Sequence, residues 1–162
     1  MATRLPLVLG TDGLPQQLQS GDTITAPTNA PNLRAVTNSE AATAITIGTP
    51  VFMFAADGVK RAQANVKTTS QVAGVMYDVT VAAAGVGNIA TSGVVVATTV
   101  QWDAVAGTAG GLIFNTLYFL DPATIGKITA TVPTTVGQTV TLIGRALSTT
   151  ELELNIQTPI LL

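Results

Sequence analysis

From residue 33 onward the chain reads as a succession of short runs rich in Val, Ile and Thr, side chains that suit a pleated, half-buried surface. Gly or Pro breaks these runs every eight to twelve residues, the spacing of an all-β sandwich or barrel. The predicted strands cover residues 33–37, 44–47, 50–54, 59–64, 71–79, 89–97, 112–120, 127–131, 139–147 and 151–156. In the last of these, Glu151 and Glu153 alternate with Leu152 and Leu154, which sets both carboxylates on one face and both leucines on the other. Helix is scarce: residues 39–44, 79–84 and 104–109 tolerate it, but each is short and flanked by Gly or Thr.

The first thirty-odd residues follow a different pattern. Between Thr11 and Pro31, turn and polar residues dominate, with Asp12-Gly13, Pro15, Ser20-Gly21-Asp22, Pro27 and Pro31. No periodicity there is long enough to build a core, so residues 1–31 are expected to be an extended arm and residues 32–162 a body. Within the arm, Leu5, Leu7 and Leu9 alternate with Pro6 and Val8, an apolar strip able to lie along a sheet edge. Residues of the arm expected to touch a partner are Arg4, Leu5, Leu7, Leu9, Leu14, Gln17 and Leu18.

The body contains an internal repeat, about 33–79 and 94–156. Residues 48–79 can be laid over 115–148, matching Phe52 and Phe54 with Tyr118 and Leu120, Gly58 with Gly126, Ala64 with Ala130 and Gly74 with Gly144. Each copy reads as an apolar strand, a turn, an alternating strand, a Thr-rich loop and a longer strand with a Gly inside it. Such a unit cannot bury its apolar face alone, so two copies are expected to pack as one pseudo-symmetric small β-barrel or sandwich. Phe52, Phe54, Tyr118, Leu120, Leu142 and Leu152 should point inward or into a subunit interface.

Composition narrows the chemistry. At 162 residues the chain can bury a core without disulfides or metal. Apolar residues make up 47% and charged residues 10%, against about 25% charge in ordinary soluble domains. So little charge implies that much of the surface is hidden in an assembly, and a homotrimer is expected. His and Cys are absent, which excludes His- or Cys-based nucleophile systems, thiol redox chemistry and zinc sites of the usual kind. The seven basic residues are scattered and the net charge is −2, so no stripe follows a phosphate backbone and nucleic acid is not an expected partner. No apolar run approaches the ~20 residues of a membrane helix, the opening residues do not read as a secretory signal, and no membrane partner is expected.

Carboxylates are the remaining acid/base candidates. Glu151 and Glu153 read as a solvated outer face, while Asp12, Asp57 and Asp121 read as turn residues. The Gly-rich stretches 84–88 and 107–111 lack the Lys-Ser/Thr ending of a phosphate loop. No catalytic, cofactor or metal site is expected. Trp102, the single tryptophan, reads as a core or rim residue, and with Tyr118 it is also a candidate interface or sugar-stacking aromatic.

Two segments carry a resemblance. RLPLVLGTDGLPQQLQSGDTI, residues 4–24, resembles N-terminal arms of tailed-bacteriophage structural proteins. Residues 111–162 resemble them more closely, through Tyr118-Phe119-Leu120, Gly126-Lys127-Ile128-Thr129 and Ile143-Gly144-Arg145-Ala146-Leu147-Ser148. The pattern is shared by capsid decoration (cement) proteins and by head- or tail-fibre modules. The resemblance implies a non-enzymatic virion protein on the outer capsid surface, made in the host bacterial cytoplasm, that binds the major capsid protein and bridges capsomers. A fibre is expected to continue beyond this module, and a chain ending at Leu162 favours decoration. The alternatives are a fibre-base module binding host glycan through Trp102 and Tyr118, and a carboxylate-dependent hydrolase.

Overall fold

A computed structural model describes residues 30–162 and, before them, the backbone of two short strands, β1 (Leu7–Leu9) and β2 (Pro15–Gln17). The body is all-β with one short helix, a closed five-stranded barrel carrying extra strands. Its first half holds β3 (Asn32–Asn38), β4 (Ile45–Thr46), β5 (Pro50–Met53), β6 (Gly58–Arg61), β7 (Val72–Met76) and β8 (Thr80–Val81). The long β9 (Val86–Val96) joins it to the second half: α1 (Thr99–Ala106), β10 (Leu117–Leu120), β11 (Ile128–Thr129), β12 (Thr139–Val140), β13 (Leu142–Ala146), β14 (Glu151–Leu154) and β15 (Ile160–Leu161).

The barrel closes in the order β3-β6-β5-β7-β9, with β9 pairing both β7 and β3. Each of the five strands sends one side chain inside: Val36, Val51, Val59, Met76 and Ile89. Ile45 and Val81, from the paired β4 and β8, complete this core. β-branched side chains dominate, as suits the narrow interior of a five-stranded barrel.

β9 then leaves the barrel. Gly93 adopts φ +88, a left-handed conformation that costs a side-chain-bearing residue strain, and from there the strand pairs β14 instead of β3. The second unit has the order β11-β10-β13-β14-β9, strand for strand the arrangement β6-β5-β7-β9-β3 of the first. The expected repeat is therefore present in the topology. Its phase in the first strand differs by one residue from the sequence alignment. Val51 lies opposite Gly74, Tyr118 lies opposite Gly144, and a bulge follows at once in both pairs. Val51 thus corresponds to Tyr118, and Phe52 to Phe119. Because side chains alternate between faces, a one-residue slip exchanges inside and outside. Phe54 is accordingly not a core residue: it is 57% exposed, with the Lys60 ammonium 3.7 Å from its ring centre. Leu120 and Leu152 are buried, while Phe52 and Leu142 are half-buried.

The units also differ in closure. Parallel pairing of β3 with β6 seals the first, but among the described residues no strand links β11 to β9, and α1 packs against β11 instead. Trp102 and Val105 of α1 enter a core with Val95, Leu112, Tyr118, Leu120, Ile128, Ile143, Leu152 and Leu154. The helix starts where Thr98 caps it: the hydroxyl accepts from Gln101 N–H, and the Gln101 side chain accepts from Thr98 N–H at 2.8 Å. It stops at Gly107, in the left-handed conformation. The sequence-based helix candidates need correction: 104–109 overlaps only the last turn of α1, 79–84 contains β8, and 39–44 contains no helix. The run 139–147 is divided at Thr141 into β12 and β13, and the run 71–79 ends as strand at Met76.

Candidate functional site

Of the arm residues singled out from sequence, Arg4, Leu5, Leu14 and Leu18 lie outside the described residues. Leu7 and Leu9 fall in β1 and Gln17 in β2, which pair antiparallel with Leu7 opposite Gln17 and Leu9 opposite Pro15. Leu7–Leu9 is thus backbone-paired to a second short strand.

The two aromatic candidates are core residues. Trp102 is fully buried, and its indole N–H donates to the Thr150 carbonyl at 2.9 Å. Tyr118 is fully buried as well, its hydroxyl accepting from Ile113 N–H at 3.0 Å. Each polar tip finds a backbone partner, which is what permits such rings in a core. Neither presents a face to a sugar or to another subunit, and the aromatic-platform expectation is corrected accordingly.

The carboxylates have local structural tasks. Asp103 accepts from Gly111 N–H at 2.7 Å, Gly110 N–H at 3.0 Å and the Thr108 hydroxyl at 3.1 Å, pinning the loop after α1. The Gly111 hydrogen bond, more than desolvation, holds its carboxyl below the usual Asp range, helped by Gly110 and Thr108. Glu40 receives both the backbone N–H and the Nε of Arg61 at 3.1 Å, Asp57 pairs with Arg34 at 3.6 Å, and Asp78 accepts from Asn88 N–H at 2.8 Å. Asp121 accepts from Ala123 N–H at 2.7 Å, as expected for a turn.

One surface able to take a partner is the outer face of the second unit. Leu152 and Leu154 point into the core, so Glu151 and Glu153 point out, as their alternation requires. Strand register aligns Leu117, Arg145, Glu153 and Val94 in one row across β10, β13, β14 and β9. The adjoining row brings Leu147, Glu151 and Val96 together through the Leu147–Glu151 backbone hydrogen bond and the Glu151–Val96 pair. Val94, Val96, Leu147 and Glu151 line an open groove of about 400 Å³ together with Tyr77, Ala30 and Pro31. Val96 is 57% exposed, and Phe114, in the loop before β10, is 71% exposed.

The groove thus mixes apolar side chains with polar surface and one carboxylate, and Ala30 and Pro31 are part of its lining. Sequence patterning places Glu151 and Glu153 outside but cannot bring Tyr77, Val94, Val96, Leu147 and Arg145 beside them, because that requires the pairing of four strands. Such a face offers shape, apolar area and charge for docking. Comparison of the chain with protein-family models, curated proteins and solved structures finds no match to any of them.

Proposed function

We propose that this chain is a structural virion protein that binds the outside of a tailed-phage head, contacts the major capsid protein and stabilises the shell by bridging capsomers. It works as a homotrimer and without catalysis. The observation that carries this reading is the junction of arm and body: Ala30 and Pro31 line an open groove with Val94, Val96, Leu147 and Glu151, so the chain enters the body beside a surface able to take a partner. Among the described residues, both cores are filled by side chains between Val36 and Leu154, so the body has its own apolar interior. The resemblance of residues 4–24 and 111–162 to phage structural proteins supports the same assignment.

Packed DNA pushes a head outward, and a clip across capsomers opposes their separation by binding energy alone. An arm that adds a strand to a sheet edge on the shell gains main-chain hydrogen bonds. Three arms on one trimer turn individually weak contacts into avid attachment. The fibre-base alternative loses its glycan platform with the burial of Trp102 and Tyr118.

Removal of residues 2–20 tests the reading on heads of the encoding phage prepared without the protein. The truncated chain should keep its strand circular dichroism and buried-Trp emission, yet bind heads at least ten-fold more weakly and leave them less resistant to heat. Unchanged affinity would overturn the arm as the clip. Binding of the full chain to fibres and not to heads would return the alternative.

A further inference from the structure

The row Leu117–Arg145–Glu153–Val94 reads apolar, positive, negative, apolar across four adjacent strands. Reversed, it is complementary to itself. We propose that this face docks onto the same face of a second copy of the chain, about a two-fold axis that lies between the two sheets and runs parallel to β13 and β14. Rotation about that axis keeps the rows in register and reverses their order. Arg145 then meets Glu153 of the second copy and Glu153 meets Arg145, while Leu117 and Val94 cover each other at both flanks.

The geometry suits this contact. Face-packed sheets lie about 10 Å apart, a gap that an extended Arg and an extended Glu span together. Glu151 of the second copy, one row along, gives Arg145 a further carboxylate. Within one chain, Arg145 and Glu153 stand directly opposite each other, yet among the described residues no ion pair joins them; the ion pairs there are Arg34–Asp57 and Arg61–Glu40. Arg145 and Leu117 are exposed, and Glu153 and Val94 are half-buried, so the row is open to solvent. An isologous contact of this kind doubles whatever unit it joins, monomer or trimer. It does not depend on head binding, and because it uses Val94 and Glu151 of the groove beside residues 30 and 31, a face paired in this way is closed to the shell.

Charge reversal on the full chain provides the test, read by sedimentation velocity over a concentration series at low salt. The wild-type chain should show a reversible doubling of mass. Arg145→Glu and Glu153→Arg should each weaken that doubling at least ten-fold, because each sets like charges face to face. An equimolar mixture of the two single variants should associate again, since both crossings of the mixed pair then set a carboxylate against a guanidinium. The double variant, Arg145→Glu with Glu153→Arg in one chain, should also self-associate. Circular dichroism confirms that each variant is folded, and Leu117→Ser weakens the contact without altering charge should a reversal variant fail to fold. A wild-type chain whose mass is independent of concentration, or single variants that stay apart when mixed, would overturn the proposal.

Discussion

Gly144 and Gly74 occupy equivalent positions in the two units, and each is there because a neighbouring strand passes too close for a side chain. A Cβ on Gly144 would overlap the Glu153 carbonyl group and sit 3.2 Å from Leu154 Cα. All of those atoms are backbone of β14, so relief requires the strand itself to move. At Gly74 a Cβ would lie 2.7 Å from the Ala90 carbonyl oxygen, also strand backbone, and 3.0 Å from Ile89 Cδ1, a milder overlap than at Gly144 that a smaller shift of β9 relieves. Overpacking of this kind costs about 1–3 kcal/mol, and Gly144→Ala belongs at the upper end. Loss of glycine's freedom in the unfolded chain offsets roughly 0.4–1 kcal/mol in both variants. The net expectation is about 2 kcal/mol for Gly144→Ala and no more than about 1 kcal/mol for Gly74→Ala. For a chain of this size each kcal/mol lowers Tm by roughly 2–4 °C, so Gly144→Ala should melt about 4–8 °C below wild type. Urea titration and calorimetry should agree on the order wild type, Gly74→Ala, Gly144→Ala. If Gly144→Ala is as stable as wild type, or if the two variants fall in reverse order, the shared close approach is not what holds these glycines in place.

Trp102→Ala should cost about 3–5 kcal/mol, the usual loss for deleting a buried large aromatic, measured by urea denaturation. The Thr150 carbonyl keeps its bond from Ala97 N–H, so Trp102→Phe should cost distinctly less than Trp102→Ala. The single Trp should emit in the blue in the folded wild-type chain and shift red on unfolding; red emission from folded protein would contradict its burial. The lowered Asp103 pKa makes the loop after α1 sensitive to acid. A carboxylate depressed in the folded state contributes stability above its unfolded pKa, and that contribution is lost as pH falls through the folded value. Amide exchange at Gly110 and Gly111, corrected for intrinsic pH dependence, should therefore lose protection below the ordinary Asp range, while Asp103→Asn should lose it already at neutral pH. Protection unchanged by acid or by that substitution would remove Asp103 as the anchor.

Strands were legible wherever Val, Ile and Thr ran between turn residues, because a half-buried pleated surface selects those side chains. The repeat was legible for the same reason, as was the outward pair Glu151 and Glu153. Its phase was not: bulges after Val51 and Tyr118 consume a residue in the pairing, and only the position opposite Gly74 and Gly144 reveals the slip. α1 escaped because it is eight residues long and lacks a clean apolar stripe; its one strong signal is the Thr98-to-Gln101 capping box. Trp102 left open whether it was core or interface, since burial depends on the helix that carries it into the second unit. The outer-face row joins residues as far apart in sequence as Val94 and Glu153 and exists only through strand register.

The proposed trimeric clip on a phage head is tested most directly by cryo-electron microscopy of heads assembled with and without this protein. Heads carrying it should show extra density at local three-fold positions, sized for three bodies of residues 32–162, with thin density running from each body across a capsomer boundary. That density should vanish without the protein and return when purified chain is added. Identical head surfaces in the two preparations, or density confined to the tail or fibres, would contradict the claim.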